Sequence, residues 1–244
     1  MQVRNVPVLG RRYWTAICLA SVFGANLGDF VSHDLHLGHV RGVPVLAVLF
    51  AGILIGERRA VWGGEAWYWA AIVLLRTAAT NLADFATHDL HMAYAWVIAA
   101  LEAVLVLLVV PGGGAARAAA AGRPVTDGWY WGAMLTAGTL GTAIGDCTAD
   151  DFGLGSGVGS LVLCGVLAAI FAVTQRGAWV GKAAYWITVV GVRSAGTTVG
   201  DFLAFRHGVG LGLPLGTLVS GMAMVGVLVL WRPQGVREAV GAQT

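Results

Sequence analysis

The sequence predicts an all-α membrane protein: eight transmembrane helices formed by four tandem two-helix repeats. Three observations carry that prediction. The 244 residues are 57% hydrophobic and 11% charged, with a mean hydropathy of +0.75, whereas a soluble domain carries about 25% charged residues. The apolar runs are long enough for helices of about 20 residues, the length that spans the hydrocarbon layer. Finally, one aromatic-to-aspartate unit is written four times at constant spacing.

That unit begins at Tyr13-Trp14, Tyr68-Trp69, Tyr130-Trp131 and Tyr185-Trp186, and in each copy an aspartate follows the tyrosine by 16 residues: Asp29, Asp84, Asp146 and Asp201. The steps between copies are 55, 62 and 55 residues. Internal periodicity of this kind defines the architecture before any local reading. The repeats cover about 11–60, 66–112, 128–176 and 183–232, within one polytopic domain spanning 1–244. The longer middle step falls in the Gly/Ala-rich connector 111–128, "PGGGAARAAAAGRPVTDG", which divides the chain into halves.

Within each repeat, a first helix runs from the aromatic pair through the aspartate. Turns are expected at Gly42-Val43-Pro44, Gly153–Gly159 and Gly208–Pro214. A second helix then ends near Glu57, Pro111, Gln175 and Arg232. An even number of spans per repeat gives every repeat the same orientation. The repeats are therefore parallel, related by an axis along the membrane normal, with pseudo-four-fold symmetry, or two-fold by halves. The 36 glycines suit close helix packing.

Lysine and arginine set the orientation, because cytoplasmic loops carry the excess. The termini and between-repeat loops hold 11 of them: Arg4, Arg11, Arg12, Arg58, Arg59, Arg117, Arg123, Arg176, Lys182, Arg232 and Arg237. The within-repeat turns hold Arg41 and Arg206. Both termini are expected in the cytoplasm, with the aromatic pairs at the inner interface where Tyr and Trp are favoured. Sixteen helical residues rise about 24 Å, so the aspartates are expected near the outer surface. The segment "MQVRNVPVLGRRYW" shows no cleavage-site pattern, and no removed signal peptide is expected.

Other classes are disfavoured. A net charge of +2 without a basic arm speaks against nucleic acid as a partner. No Walker A, GxSxG or Rossmann fingerprint is present, and "GLGSGVGS" at 153–160 joins two apolar stretches as a turn. Cys18, Cys147 and Cys164 form no CxxC and read as small apolar residues.

The four Trp positions (Trp14, Trp69, Trp131, Trp186) and four Gly-Asp-type positions (Asp29, Asp84, Asp146, Asp201) resemble a family of bacterial integral membrane proteins made of four tandem two-helix repeats. That family is known chiefly as a repeat of unknown function. The resemblance implies a bacterial inner-membrane location with the lipid bilayer as partner, and lends no activity.

The chemistry must come from "NLGDFVSHDLHLGH" at 26–39 and "NLADFATHDLH" at 81–91. On a helix turning about 100° per residue, Asn26, Asp29, His33 and His36 share one stripe, as do Asn81, Asp84, His88 and His91. Two such stripes facing each other would offer His33, His36, His88, His91, Asp29 and Asp84 to a divalent transition metal (Zn, Mn, Fe, Ni or Cu), a set that suits one ion and has ligands enough for two. Asn26, Asn81, Asp34 and Asp89 are candidate supports of the ligating rings, and His39 a further ligand on the way in. Metal transport near the extracytoplasmic face is the leading expectation. A metalloenzyme, a haem-binding redox protein, and a metal sensor or structural site are alternatives on the same residues. Haem needs fewer histidines than two HxxH copies supply.

Asp146 and Asp201 complete a set of four carboxylates, which either packs each repeat or lines a cation path. HxxH occurs in repeats one and two alone, so packing common to all repeats does not require it. Arg76 and Arg193, each 8 residues before its aspartate, and Glu102 in the second helix of repeat two are charges inside apolar stretches. Such groups are usually paired, and a Glu102–Arg76 or Glu102–Arg193 ion pair is expected.

Overall fold

The computed structural model describes residues 3, 6–60, 64–110, 124–175, 181–205 and 208–231. Most of the connector, and Arg4, Arg117, Arg123, Arg176, Arg206, His207, Arg232 and Arg237, lie outside the described residues. Among the described residues every regular element is a helix. In chain order the elements are α1 (Arg11–Asp29), α2 (Gly38–Arg59), α3 (Ala66–Asp84), α4 (Tyr94–Val109), α5 (Gly128–Ala149), α6 (Gly155–Gln175), α7 (Lys182–Ala204) and α8 (Leu213–Leu230).

Local chemistry sets the helix ends. The Asp127 carboxylate caps α5 by accepting the Tyr130 N–H at 2.8 Å, and α8 begins with proline in its first turn. α1 and α3 each end in a π-helical turn, Phe30–Asp34 and Phe85–Asp89. There the amides of Leu35 and Leu90 reach back five residues, to Phe30 and Phe85 at 3.0 and 2.9 Å. The expected turn at Gly42-Val43-Pro44 lies inside α2, which already begins at Gly38.

The first helices of the repeats form a closed inner ring, α1–α3–α5–α7–α1. The second helices lie outside it and cross over. α2 packs on α3, α4 on α5, α6 chiefly on α7, and α8 chiefly on α1. Each outer helix is thus held mainly by the following repeat, and α8 fastens the last repeat to the first. Small residues allow the inner helices to touch. A Cβ at Gly141 would stand 2.6 Å from the Arg193 Cβ, and one at Gly138 would stand 2.9 Å from that of Ala79. Gly24 meets Arg76, and Gly196 meets Ser21, in the same way. These four contacts join equivalent repeat positions around the ring.

Among the described residues, four helical segments are long and apolar enough to cross a membrane: Arg11–Asp34, Gly38–Arg59, Gly155–Thr174 and Leu213–Leu230, with Tyr94–Val109 a shorter apolar helix. The outer helices expose their apolar side chains, such as Val48, Leu107, Leu161 and Leu230. That surface is what a lipid environment solvates.

The aromatic pairs do not form an outward-facing belt. Tyr13 and Tyr68 are fully buried, and Trp69, Tyr130, Trp131 and Trp186 are buried with them in the main apolar core. The tyrosine hydroxyls meet at the centre of the ring. Tyr13 bonds Tyr68 at 3.1 Å and Tyr185 at 2.7 Å, and Tyr130 bonds Tyr68 at 2.7 Å and Tyr185 at 3.3 Å. Buried hydroxyls need partners, and this cycle supplies two to each.

Candidate functional site: the axis and its aspartate end

The axis of the inner ring is layered. Above the tyrosine cycle stand Ile17, Ile72, Met134 and Val189, one per repeat and all fully buried. The next layer is Ser21, Arg76, Gly138 and Arg193, in which small residues and arginines alternate around the ring. Two arginines from opposite helices fill the centre that Ser21 and Gly138 leave open. Both are 0% exposed.

The two guanidiniums are treated differently. Arg193 donates to Thr142 Oγ1 at 3.0 Å, to the Ser21 carbonyl at 2.8 Å and to Thr80 Oγ1. It lies within electrostatic reach of the Asp29, Asp84, Asp146 and Asp201 carboxylates. Arg76 donates only to the Met134 sulfur, at 3.7 Å, and its Nε and Nη1 have no hydrogen-bond partner among the described residues. The expected pairing with Glu102 does not occur. Glu102 is exposed on α4, whereas both arginines point into the ring that α4 flanks from outside.

The four aspartates converge at this end of the axis: Asp29 lies within electrostatic range of Asp84 and Asp201, and Asp146 of the other three. Asp29 and Asp84 are buried, Asp146 and Asp201 half-buried. The axis therefore runs from a carboxylate cluster, through two guanidiniums, to a closed cycle of hydroxyls.

The histidines sit at the aspartate end, in an arrangement the helical wheel does not give. The π-turns end the helices at Asp34 and Asp89, so neither stripe continues as a helix to its second histidine. His36 and His91 instead take left-handed backbone, with φ of 53° and 52°, and are exposed. Repeat three places Gly153, φ 65°, at the same position. A non-glycine residue there costs about 1–2 kcal/mol.

The crossover of α2 onto α3 brings His39 into the place the wheel assigned to His36. His39 Nδ1 bonds the Asp89 carboxylate at 3.1 Å. Its Nε2 faces Asp84 Oδ2 at 3.8 Å and is buried without a hydrogen-bond partner. His88 Nδ1 stands 3.8 Å from the other Asp84 oxygen. The His33 ring lies 5.9 Å from that of His39, edge to face, and its Nδ1 lies 3.1 Å from the Asp29 carbonyl. An open depression of about 480 Å³ leads in, lined by Ser32, His33, His39, Arg41 and Asp89 among others. Asp34 is exposed at its turn.

Neither asparagine hydrogen-bonds a histidine ring among the described residues. Asn81 Nδ2 donates to the Gly28 carbonyl at 3.2 Å, tying α3 to α1. Asn26 is buried against Gly200 and Gly216.

Among the described residues no three His, Cys, Asp or Glu side chains stand at metal-holding distances. The donors nevertheless fit a borderline metal in kind. With Nδ1 bonded to a carboxylate in His39, and to a carbonyl in His33, the neutral imidazole would offer a lone pair on each Nε2. That is the arrangement of ligating histidines. Two ligands on a tetrahedral zinc stand roughly 3.3 Å apart for bonds of about 2.0 Å, so the two 3.8 Å separations at Asp84 are about half an ångström too wide.

A closed helical ring with crossed-over outer helices and an ionisable axis defines a membrane-type tandem-repeat protein. The chain belongs to the family of the Repeat of Unknown Function (DUF347), whose model matches residues 12–60, 129–176 and 184–234, well over half of the chain. No curated protein and no solved structure matches it.

Proposed function

We propose that this protein crosses the bacterial inner membrane eight times, has both termini in the cytoplasm, and takes up a divalent first-row transition-metal ion at its aspartate end as a transporter. The span count is supported by α3, α5 and α7, whose Thr, Arg and Asp side chains are covered by neighbouring helices rather than turned outward. Pseudo-four-fold symmetry is supported by ring contacts between equivalent repeat positions, and the two-fold component by the alternation of small residue and arginine. The orientation is supported by the lysine and arginine distribution.

The observation that carries the metal reading is His39 Nε2, a buried, unpartnered nitrogen aimed at Asp84, on a ring that Asp89 holds through Nδ1. An ion would join Asp84 to His39, with His88 and His33 within reach of completing the sphere. The carboxylate cluster beneath would attract a cation. Arg193, bonded on three sides, blocks the axis below, so passage requires a rearrangement of that layer. The same blockage favours a second reading, a metal sensor that binds without flux.

The test is uptake of zinc, manganese, iron, nickel and copper ions into proteoliposomes, alongside equilibrium binding. Transport predicts flux of a bound metal that is lost in Asp84→Asn. Tight binding with no flux supports the sensor, and no binding of any of the five ions removes both readings.

A further inference from the structure

The second helix of repeat two carries a feature that neither the ring nor the metal site uses. Glu102 lies near the middle of α4, about 12 Å of helix from either end, and is exposed. It makes no hydrogen bond or ion pair with any described residue. Among the described residues, no charged side chain is exposed in the middle of α2, α6 or α8.

A carboxyl in the hydrocarbon layer is costly and is normally paired. From the middle of the helix, a side chain as short as glutamate does not reach the headgroups. The partner must therefore come from outside this chain and offer a polar group at the same depth.

Ala95, Ala99 and Ala103 lie four residues apart on the same outward strip of α4, and all are exposed. On a wheel of about 100° per residue, Glu102 and Val106 fall within the same face. Small residues four apart let a second helix approach closely. We propose that α4 is the contact helix of a homodimer, in which Glu102 of each copy pairs with Glu102 of the other beside the Ala95–Ala99–Ala103 strip.

A second copy is the occupant because the group is self-complementary. A carboxyl that carries its proton presents one donor and one acceptor, so two related by a two-fold axis satisfy each other. An isologous interface places the same residue opposite itself. The proposal rests on α4 crossing the membrane, as proposed above.

The experiment is cysteine cross-linking of full-length protein in membranes. Cys18, Cys147 and Cys164 are replaced by alanine, and a single cysteine is placed at Ala99. Oxidation should trap a dimer, whereas a cysteine at Leu161 on the exposed face of α6 should not. Glu102→Gln keeps an acceptor beside a donor group and should keep the cross-link. Glu102→Leu, which suits a lipid-facing helix, should weaken dimerisation about tenfold, read as dimer fraction against protein-to-lipid ratio. An undiminished cross-link in Glu102→Leu, or equal trapping at 99 and 161, overturns the proposal. Labelling of the cysteine at 99 by a membrane-impermeant maleimide would instead overturn the span reading of α4.

Discussion

Replacing Gly141 with alanine drives a methyl group into the arginine layer. Its Cβ would lie 2.6 Å from Arg193 Cβ, 2.7 Å from Cγ and 2.9 Å from the Val190 carbonyl. Non-bonded carbons rest about 3.5–4.0 Å apart, so α5 and α7 must separate by about 1 Å. That shift stretches the Arg193–Thr142 bond, now 3.0 Å, beyond hydrogen-bonding range. Overpacking costs about 1–3 kcal/mol, and a weakened charge-assisted bond about 1.5–3 kcal/mol. Alanine returns about 1 kcal/mol over glycine in a helix. The expected net loss is about 1.5–5 kcal/mol, measured by reversible unfolding of the purified protein in mixed micelles. Gly165→Ala is the control, since nothing lies within 4 Å of its Cβ position, and it should be neutral or stabilising by up to about 1 kcal/mol. Equal stabilities for the two variants would refute the close contact of α5 and α7.

The two arginines should respond unequally. Arg193→Met loses three bonds to oxygen and should cost about 3–5 kcal/mol, whereas Arg76→Met removes a buried charge with two unpartnered nitrogens and should change stability by less than about 1 kcal/mol in the same unfolding assay. Tyr68→Phe opens the hydroxyl cycle at its contacts with Tyr13 and Tyr130, and two bonds at about 1 kcal/mol each predict a loss of about 1–2 kcal/mol in chemical denaturation. His36→Gly and His91→Gly relieve left-handed backbone against glycine's greater chain entropy, so thermal unfolding should show no loss, and a gain of up to about 1 kcal/mol.

The repeat was legible because its signals are local. The constant tyrosine-to-aspartate spacing gave four first helices, and the apolar runs beyond gave four second helices. The alternation of Ser21 and Gly138 with Arg76 and Arg193 was also visible, but it acquires meaning only once the four helices close on one centre. The tyrosines read as interface residues because Tyr and Trp favour that depth. Their mutual hydrogen bonds depend on ring closure, which no single helix encodes.

At the candidate site the reading was partial. Asp84, His33 and His88 are near one another, as the two copies suggested. His36 and His91 fail because the wheel assumes a continuous α-helix, and a bond to the fifth preceding residue ends it one turn early. His39 is the residue underweighted. Its position depends on α2 leaning onto the next repeat, a choice made by packing between helices. An ion pair of Glu102 with an arginine is what the rule for charges in apolar stretches predicts, but the buried face of α4 is marked by Val97.

The most direct test of the proposed function is the zinc content of purified protein after loading and desalting, compared for the natural sequence, His39→Ala, Asp84→Asn and the double variant His36→Ala with His91→Ala. The account predicts about one zinc per chain in the natural protein and in the double variant, and loss of that zinc in His39→Ala and in Asp84→Asn. Zinc retained in both single variants, or lost only in the double variant, would contradict it.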